Sequence, residues 1–332
     1  MVIPNICHCI HFSDFEDGSP LLSPDVIGSR VFTEGDQANA RALYRQLLLS
    51  SPSNKHGCRR YVKSSFHSFI PRSTLHYDVS IHGDMVFQIT THDIKTRPET
   101  QSYLSVTTLT DHPTFKQSIE SSTKHFLHDR SKFVSARNSV GDVGQMTAVG
   151  VLSARTGGSL IETKAGTVDT QFRTGLPNLC QEAAKFANDK FPGLVSTIHH
   201  LESAGGINRP PYMGGAEGVS SSMAVSVDLA NATHYDVHDA SMGFVVFAES
   251  QPHTTKNWNF VLPNVLVKFQ NKTYHGLALK LHHGACIHFD GRIIRHGTSI
   301  HQRLSTNDHT MGFFWAASSK AFSTGMTTSS DE

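Results

Sequence analysis

Apolar positions along the chain change their spacing near residue 220. Upstream, two stretches repeat at helical intervals. From Asp36 to Leu49, Ala38, Ala40, Ala42, Leu43, Leu47 and Leu48 share a face, with Asp36 as N-cap, and Ser50-Ser-Pro-Ser-Asn54 ends the run. A second helix is expected to start near Pro177, with Leu179, Ala183, Ala184, Phe186 and Ala187 as its apolar face. A shorter one follows Pro192-Gly193, through Leu194 to Leu201. Lys124 to Arg137 is expected to be partly helical. Residues 74–91 alternate like one or two strands broken at Gly83-Asp84, and Thr147–Leu152 reads as another strand. Gly205-Gly206 and Arg209–Gly215 read as a loop lying over the mouth of the module that follows.

From about residue 222 the pattern becomes one of short strands separated by turn residues: 223–229, 242–248, 258–269, 276–281, 285–289, 292–295 and 310–316. Close spacing of this kind predicts a sandwich or jelly roll rather than a parallel α/β sheet. The expected class is therefore α+β, with a jelly roll flanked by helices from the N-terminal half. The expected organisation is an irregular lead-in over 1–30, a mixed α/β region over 31–220 packed on the core, a jelly-roll core over 221–318, and a flexible tail over 319–332.

Composition narrows the classes. At 332 residues, 38 % hydrophobic and 17 % charged, the chain can bury a sizeable core. A net charge of +1 gives no global signature for nucleic acid, so DNA or RNA would need a local patch. Lys55–Lys63 is one such cluster, with Arg59, Arg60 and Lys63 as candidate phosphate contacts; a solvated loop is the plainer reading. Lys124–Arg137 interleaves basic residues with Phe126 and Phe133 and suits either a nucleic-acid surface or a helix with one buried face. The five cysteines are scattered and odd in number, which argues against a disulfide framework; Cys7-His8-Cys9 with His11 lacks a second half-site for zinc. The first residues lack a secretory pattern and no apolar run has the length of a membrane span, so a soluble, intracellular protein is expected.

The chemistry concentrates in histidine. The chain holds 22, and His-x-Asp occurs four times, at 76/78, 82/84, 234/236 and 288/290. A random chain of this composition would give roughly one such triplet, so context must choose. His234-Tyr-Asp236 lies between two strand-like runs and is followed by Phe289-Asp-Gly-Arg-Ile-Ile-Arg-His296-Gly-Thr, which offers a third ligand. Asp290-Gly291 reads as a turn rather than a ligand. Alternation sets His234 and Asp236 on one side of a strand. Two imidazoles and a carboxylate suit iron(II) and leave positions open for O2 and a small organic co-substrate. His282, His283 and His288 are alternative distal ligands, expected to line the barrel wall or face solvent.

On these residues, the stretch from about 223 to 316 resembles the double-stranded β-helix oxygenases that use iron(II) and usually 2-oxoglutarate. Within them, His234-Tyr-Asp-Val-His-Asp239 is most similar to the algal branch of the TET-like group, which modifies 5-methylcytosine and takes ascorbate in place of 2-oxoglutarate. The resemblance implies His234, Asp236 and His296 as iron ligands and Asp239 as a co-substrate contact; a hydrogen-bond acceptor orienting a ligand imidazole is the other reading of Asp239. A 2-oxoglutarate enzyme also keeps a basic residue after the distal His, and here Arg303 is the candidate. The implied activity is modification of a C–H bond, with the methyl group of 5-methylcytosine in DNA as preferred substrate and a nuclear location following from it. A cytoplasmic 2-oxoglutarate-dependent hydroxylase of a protein or small molecule, or a non-catalytic jelly-roll binding module, are the alternatives. Oligomeric state is left open.

Overall fold

The structure, a computed structural model, describes residues 10–11, 21–22, 74–91, 100–128, 133–135, 143–153, 160–163, 170–231, 234–236, 239–256, 258–299, 302–303, 305 and 307–317. The expected helix at 36–49, Cys7–Cys9, the basic residues Arg59, Arg60 and Lys63, His238 and the tail 319–332 lie outside them.

In chain order the elements are β1 (Ile10–His11) and β2 (Leu21–Leu22), which form a small ribbon; β3 (Leu75–Tyr77), the short helix α1 (Val79–His82), β4 (Met85–Thr91) and β5 (Thr100–Thr108); α2 (Pro113–His128), β6 (Val134–Ser135), β7 (Val143–Ser153) and β8 (Leu160–Glu162); α3 (Thr170–Lys190) and α4 (Leu194–Ala204). The C-terminal part adds β9 (Ser222–Ala230), β10 (Gly243–Glu249), β11 (Thr255–Lys256), β12 (Asn259–Phe269), β13 (Lys272–Lys280), β14 (Ala285–Phe289), β15 (Gly297–Thr298), β16 (Gln302–Arg303) and β17 (Thr310–Trp315).

Two walls carry the architecture. One runs β14-β10-β17-β9, all antiparallel; the other runs β13-β12-β15 and is extended by an isolated bridge between His234 and His296. Val245, Phe247, Ile287 and Phe289 from the first wall meet Phe260, Leu262, Leu277 and Leu279 from the second in one buried cluster. This strand order is that of a double-stranded β-helix, a jelly roll whose inner faces form its core. Opposite faces of the same strands serve a second core. On β10, Phe244, Val246 and Ala248 point to Phe115, Phe126, Leu179, Ala183 and Phe186 of the helical layer, while Val245 and Phe247 point inward. A strand buried on both faces reads as an unbroken apolar run, which is why Gly-Phe-Val-Val-Phe-Ala stands out in the sequence. Cys180 and Cys286 are buried free thiols in that outer core.

Four expectations differ from the structure. Strands upstream of residue 221 continue both walls: β7 pairs along β9, β5 along β14, and β4 along β12. An uncovered strand edge leaves backbone N–H and C=O groups without partners, and these strands satisfy them. Helix α3 starts at Thr170, so Pro177 sits inside it rather than near its start. Buried Leu176 and Leu179 hold the turn on either side and outweigh the hydrogen bond that proline forfeits. The Arg209–Gly215 loop lies on the helical layer, where Tyr212 and Met213 are buried, and not over the barrel mouth. Residues 292–295 form a turn instead of a strand, for a reason that matters at the site.

Candidate metal centre

The site grows from the end of β9. Asn231 locks onto β15 in both directions: its N–H donates to Thr298 O (3.1 Å), and its Oδ1 accepts from Thr298 N–H (2.7 Å). Three residues on, the backbones of His234 and His296 exchange hydrogen bonds at 2.9 and 3.0 Å. Two side chains distant in sequence thereby stand side by side, with ring centroids 4.6 Å apart. The N–H of Asp236 donates to Gly291 O (2.8 Å), which turns its carboxylate between the two imidazoles. Asp236 Oδ1 lies 3.3 Å from His234 Nε2, and Oδ2 lies 3.2 Å from His296 Nε2.

One ligand atom from each residue lies within 4.8 Å of the others. Neighbouring ligands around a six-coordinate ion at ~2.1 Å would stand ~3 Å apart, so the nitrogen–oxygen spacings fit one shared ion. His296 is the best held of the three. It is 5 % exposed, its Nδ1–H donates to Ile294 O (2.9 Å), Phe260 stacks on its ring and Phe289 meets it edge-on. A carbonyl can only accept, so the proton is on Nδ1 and the Nε2 lone pair faces Asp236. Asn231 Nδ2 approaches His234 Nδ1 at 3.5 Å, too long to set that ring's tautomer.

Electrostatics separate the two carboxylates. Burial pushes Asp236 up, but the imidazoles of His296 and His234 outweigh it and hold the carboxyl well below the usual range. Asp239, whose N–H donates to Asp236 O, goes the other way. Burial and then the charge of Asp236 push it up to about 8, against the pull of Arg292. Its Oδ2 is buried without a hydrogen-bond partner among the described residues.

Gly291 is a residue the sequence reading treated only as a turn former. A Cβ there would lie 2.6 Å from Asp236 Oδ2 and 3.0 Å from Asp236 Cβ, so the carboxylate can occupy its place only because residue 291 has no side chain. The neighbouring Asp290 pairs with Arg292 and starts the turn, as its composition suggested.

The other histidines stand elsewhere. His282 and His283 line a cavity of about 470 Å³ with Asp84, Asp111 and Lys116, at the end of β14 away from Phe289. His288 stacks on Phe191 at 4.4 Å, and burial pushes its pKa down to about 4. Asp78 caps α1 and pairs with Lys280 at 2.8 Å. Arg303 lies on β16, which pairs with β11 apart from the main sheet. Among the described residues no helix is long and apolar enough to cross a membrane.

No protein-family model matches the chain, and no curated protein sequence matches it. Solved structures do resemble it in chain course. NgTET1 in complex with 5mC DNA aligns with 85 % of this chain and 91 % of its own, at TM-score 0.45 and 11 % identity. A Pseudomonas putida prolyl-4-hydroxylase aligns with 64 % of this chain and 91 % of its own, at TM-score 0.33 and 9 % identity. A Burkholderia pseudomallei oxidoreductase of the 2OG-Fe(II) oxygenase family aligns with 56 % and 72 %, at TM-score 0.30 and 12 % identity. The fold assignment rests on the strand order and register of this chain itself.

Proposed function

We propose that the chain is an iron(II)-dependent oxygenase in which His234, Asp236 and His296 hold the metal. The observation that carries this reading is the convergence of two imidazole nitrogens on one carboxylate at 3.3 and 3.2 Å. Two neutral imidazoles and one carboxylate are the donor set iron(II) takes on one face, and three protein ligands leave three positions for others. Iron(II) held there would supply the redox chemistry by which O2 and an organic co-substrate modify a C–H bond. The protein's part is to orient: Ile294 O sets the His296 tautomer, Gly291 O and its missing side chain set Asp236, and Phe260 and Phe289 keep water from the His296 ring.

Ascorbate is the co-substrate this site favours over 2-oxoglutarate. A 2-oxoglutarate site needs a cation for the distal carboxylate. The inward face of β17, set by pairing with Val245, Phe247 and Glu249, carries Phe314, Gly312 and Thr310, and none of these is basic. Asp239, by contrast, presents a buried oxygen beside the triad. A hydroxyl-rich ring would give that oxygen a partner. For the substrate, the methyl group of 5-methylcytosine in DNA is preferred, with Arg59, Arg60 and Lys63 as phosphate contacts and the target base flipped from the duplex.

The test is a co-substrate screen with purified, iron-loaded protein, read by mass spectrometry on methylated DNA, unmodified DNA and peptide pools. Oxidised methylcytosine formed with ascorbate, and lost in His234→Ala, Asp236→Ala and His296→Ala, is the expected result. Product on peptides, or turnover driven by 2-oxoglutarate alone, would replace the substrate or co-substrate assignment. Absence of O2 consumption with either co-substrate would leave a jelly-roll binding module.

A further inference from the structure

The turn after β14 touches two of the three candidate ligands. Gly291 O receives the Asp236 N–H, and Ile294 O receives the His296 Nδ1–H. Whatever fixes this turn therefore fixes both side chains at once. The turn is closed by Asp290, whose backbone carbonyl accepts from the N–H groups of Ile293 (3.3 Å) and Ile294 (3.0 Å). Its carboxylate is nearly buried and is gripped by Arg292 in a fork, Nε to Oδ1 at 2.8 Å and Nη2 to Oδ2 at 2.6 Å. The third arm of the guanidinium, Nη1, donates to Ala240 O at 3.0 Å. Ala240 follows Asp239, whose N–H donates to Asp236 O, and its own N–H is tied to Ala317 O.

We infer that Arg292 is a positioning residue of the metal centre: with Asp290 it forms a clamp that holds Ala240, and through the Asp239 N–H the backbone of Asp236, against the turn carrying the supports of Asp236 and His296. The inference rests on the reading of His234, Asp236 and His296 as metal ligands. A planar guanidinium reaches both oxygens of Asp290 and a carbonyl in a third direction at the same time. An ammonium on a flexible stem cannot match that geometry, so charge alone does not replace it. Arg292 donates to Asp290 and to Ala240 O, and in this role it acts through Gly291, Ile294 and Ala240.

Cobalt(II), a probe that does not oxidise in air, separates the clamp from the ligands. Full-length protein is titrated with cobalt(II), and the visible absorbance gives the dissociation constant and reports ligand geometry. Arg292→Gln and Asp290→Asn are each expected to weaken binding by about 10- to 100-fold, the usual cost of losing a group that orients a ligand. The double variant should be little worse than either single one, because each change breaks the same pair. Arg292→Lys keeps the charge and most of the stem, so it serves even where the others fold poorly; it should remain at least ~10-fold weaker, with an altered spectrum. Wild-type affinity and spectrum in Arg292→Lys, or additive effects in the double variant, would overturn the clamp. Failure of the wild type to bind cobalt(II) any better than His296→Ala would instead sink the metal reading, and the clamp with it.

Discussion

Gly291→Ala tests the site through a single methyl group. The added carbon would stand 2.6 Å from Asp236 Oδ2, 3.0 Å from its Cβ and 3.2 Å from its Cγ. An ordinary contact needs ~3.4 Å, so the carboxylate must retreat by about 0.8 Å. Metal–ligand bonds tolerate about 0.2 Å, a quarter of that shift. Asp236 cannot back away as a whole without straining the 2.8 Å hydrogen bond from its N–H to Gly291 O, so its side chain must rotate off the imidazoles. Metal affinity should therefore fall by at least ~10-fold. The fold should suffer less, because crowding costs about 1–3 kcal/mol while alanine recovers roughly 0.4–1 kcal/mol by restricting the unfolded chain. Cobalt(II) titration with thermal unfolding of the metal-free protein measures both quantities. In an Asp236→Ala background the carboxylate contacts are gone and only the 3.0 Å contact with Cβ remains, so the same methyl should cost less stability there than in the wild type. Gly291→Ala binding cobalt(II) as the wild type does, while Asp236→Ala does not, would refute the steric argument.

Further outcomes follow from the same geometry. Burial and the charge of Asp236 push the Asp239 carboxyl up to about 8 in the folded chain, above its ordinary value of 3.8, so its neutral form is favoured by folding and stability is lost as pH rises between the two. Metal-free Asp239→Asn should gain on the wild type by up to ~1.4 kcal/mol per pH unit from pH 4 to about 8 and then level off; a gap independent of pH in thermal melts would refute this. Arg209→Met should destabilise by about 3–5 kcal/mol in denaturant titrations, because it strands the buried carboxylate of Glu202, now paired at 2.9 Å, without touching metal binding. Asp78→Ala should cost about 1–2 kcal/mol by removing the cap of α1 and the partner of Lys280, and cobalt(II) affinity should not change. His234→Ala and His296→Ala should remain folded and lose cobalt(II) binding; retention by both would place the metal elsewhere.

The legibility of the chain varied from element to element. Buried strands such as β10 and β14 were read to within a residue, since a run of apolar and β-branched residues has few other uses. Strand β5 was missed: its buried Leu104 and Val106 alternate with Tyr103 and Ser105, and its Ser and Thr content resembles a loop. The first half of α2 was missed for a similar reason, because Ser118 and Thr123 are buried alongside Phe115, Ile119 and Phe126. Arg292-Ile-Ile-Arg295 had strand composition, yet the Asp290 carboxylate captured Arg292 and closed a turn. Local preference lost there to one side-chain ion pair.

Residue types and their order were enough to propose the chemistry: a His-x-Asp with strands on either side and a later His after Asp-Gly is a short list of donors suited to iron(II). They were also enough for a jelly roll, because period-two runs and turn residues are local properties. The meeting of His234 with His296 was not local. It depends on Asn231 reaching Thr298, on Gly291 making room for Asp236, and on strands from residues 75–153 completing the walls. Which of four His-x-Asp pairs stands beside a third histidine was decided by backbone pairing across some sixty residues, a contact that no pattern along the chain encodes.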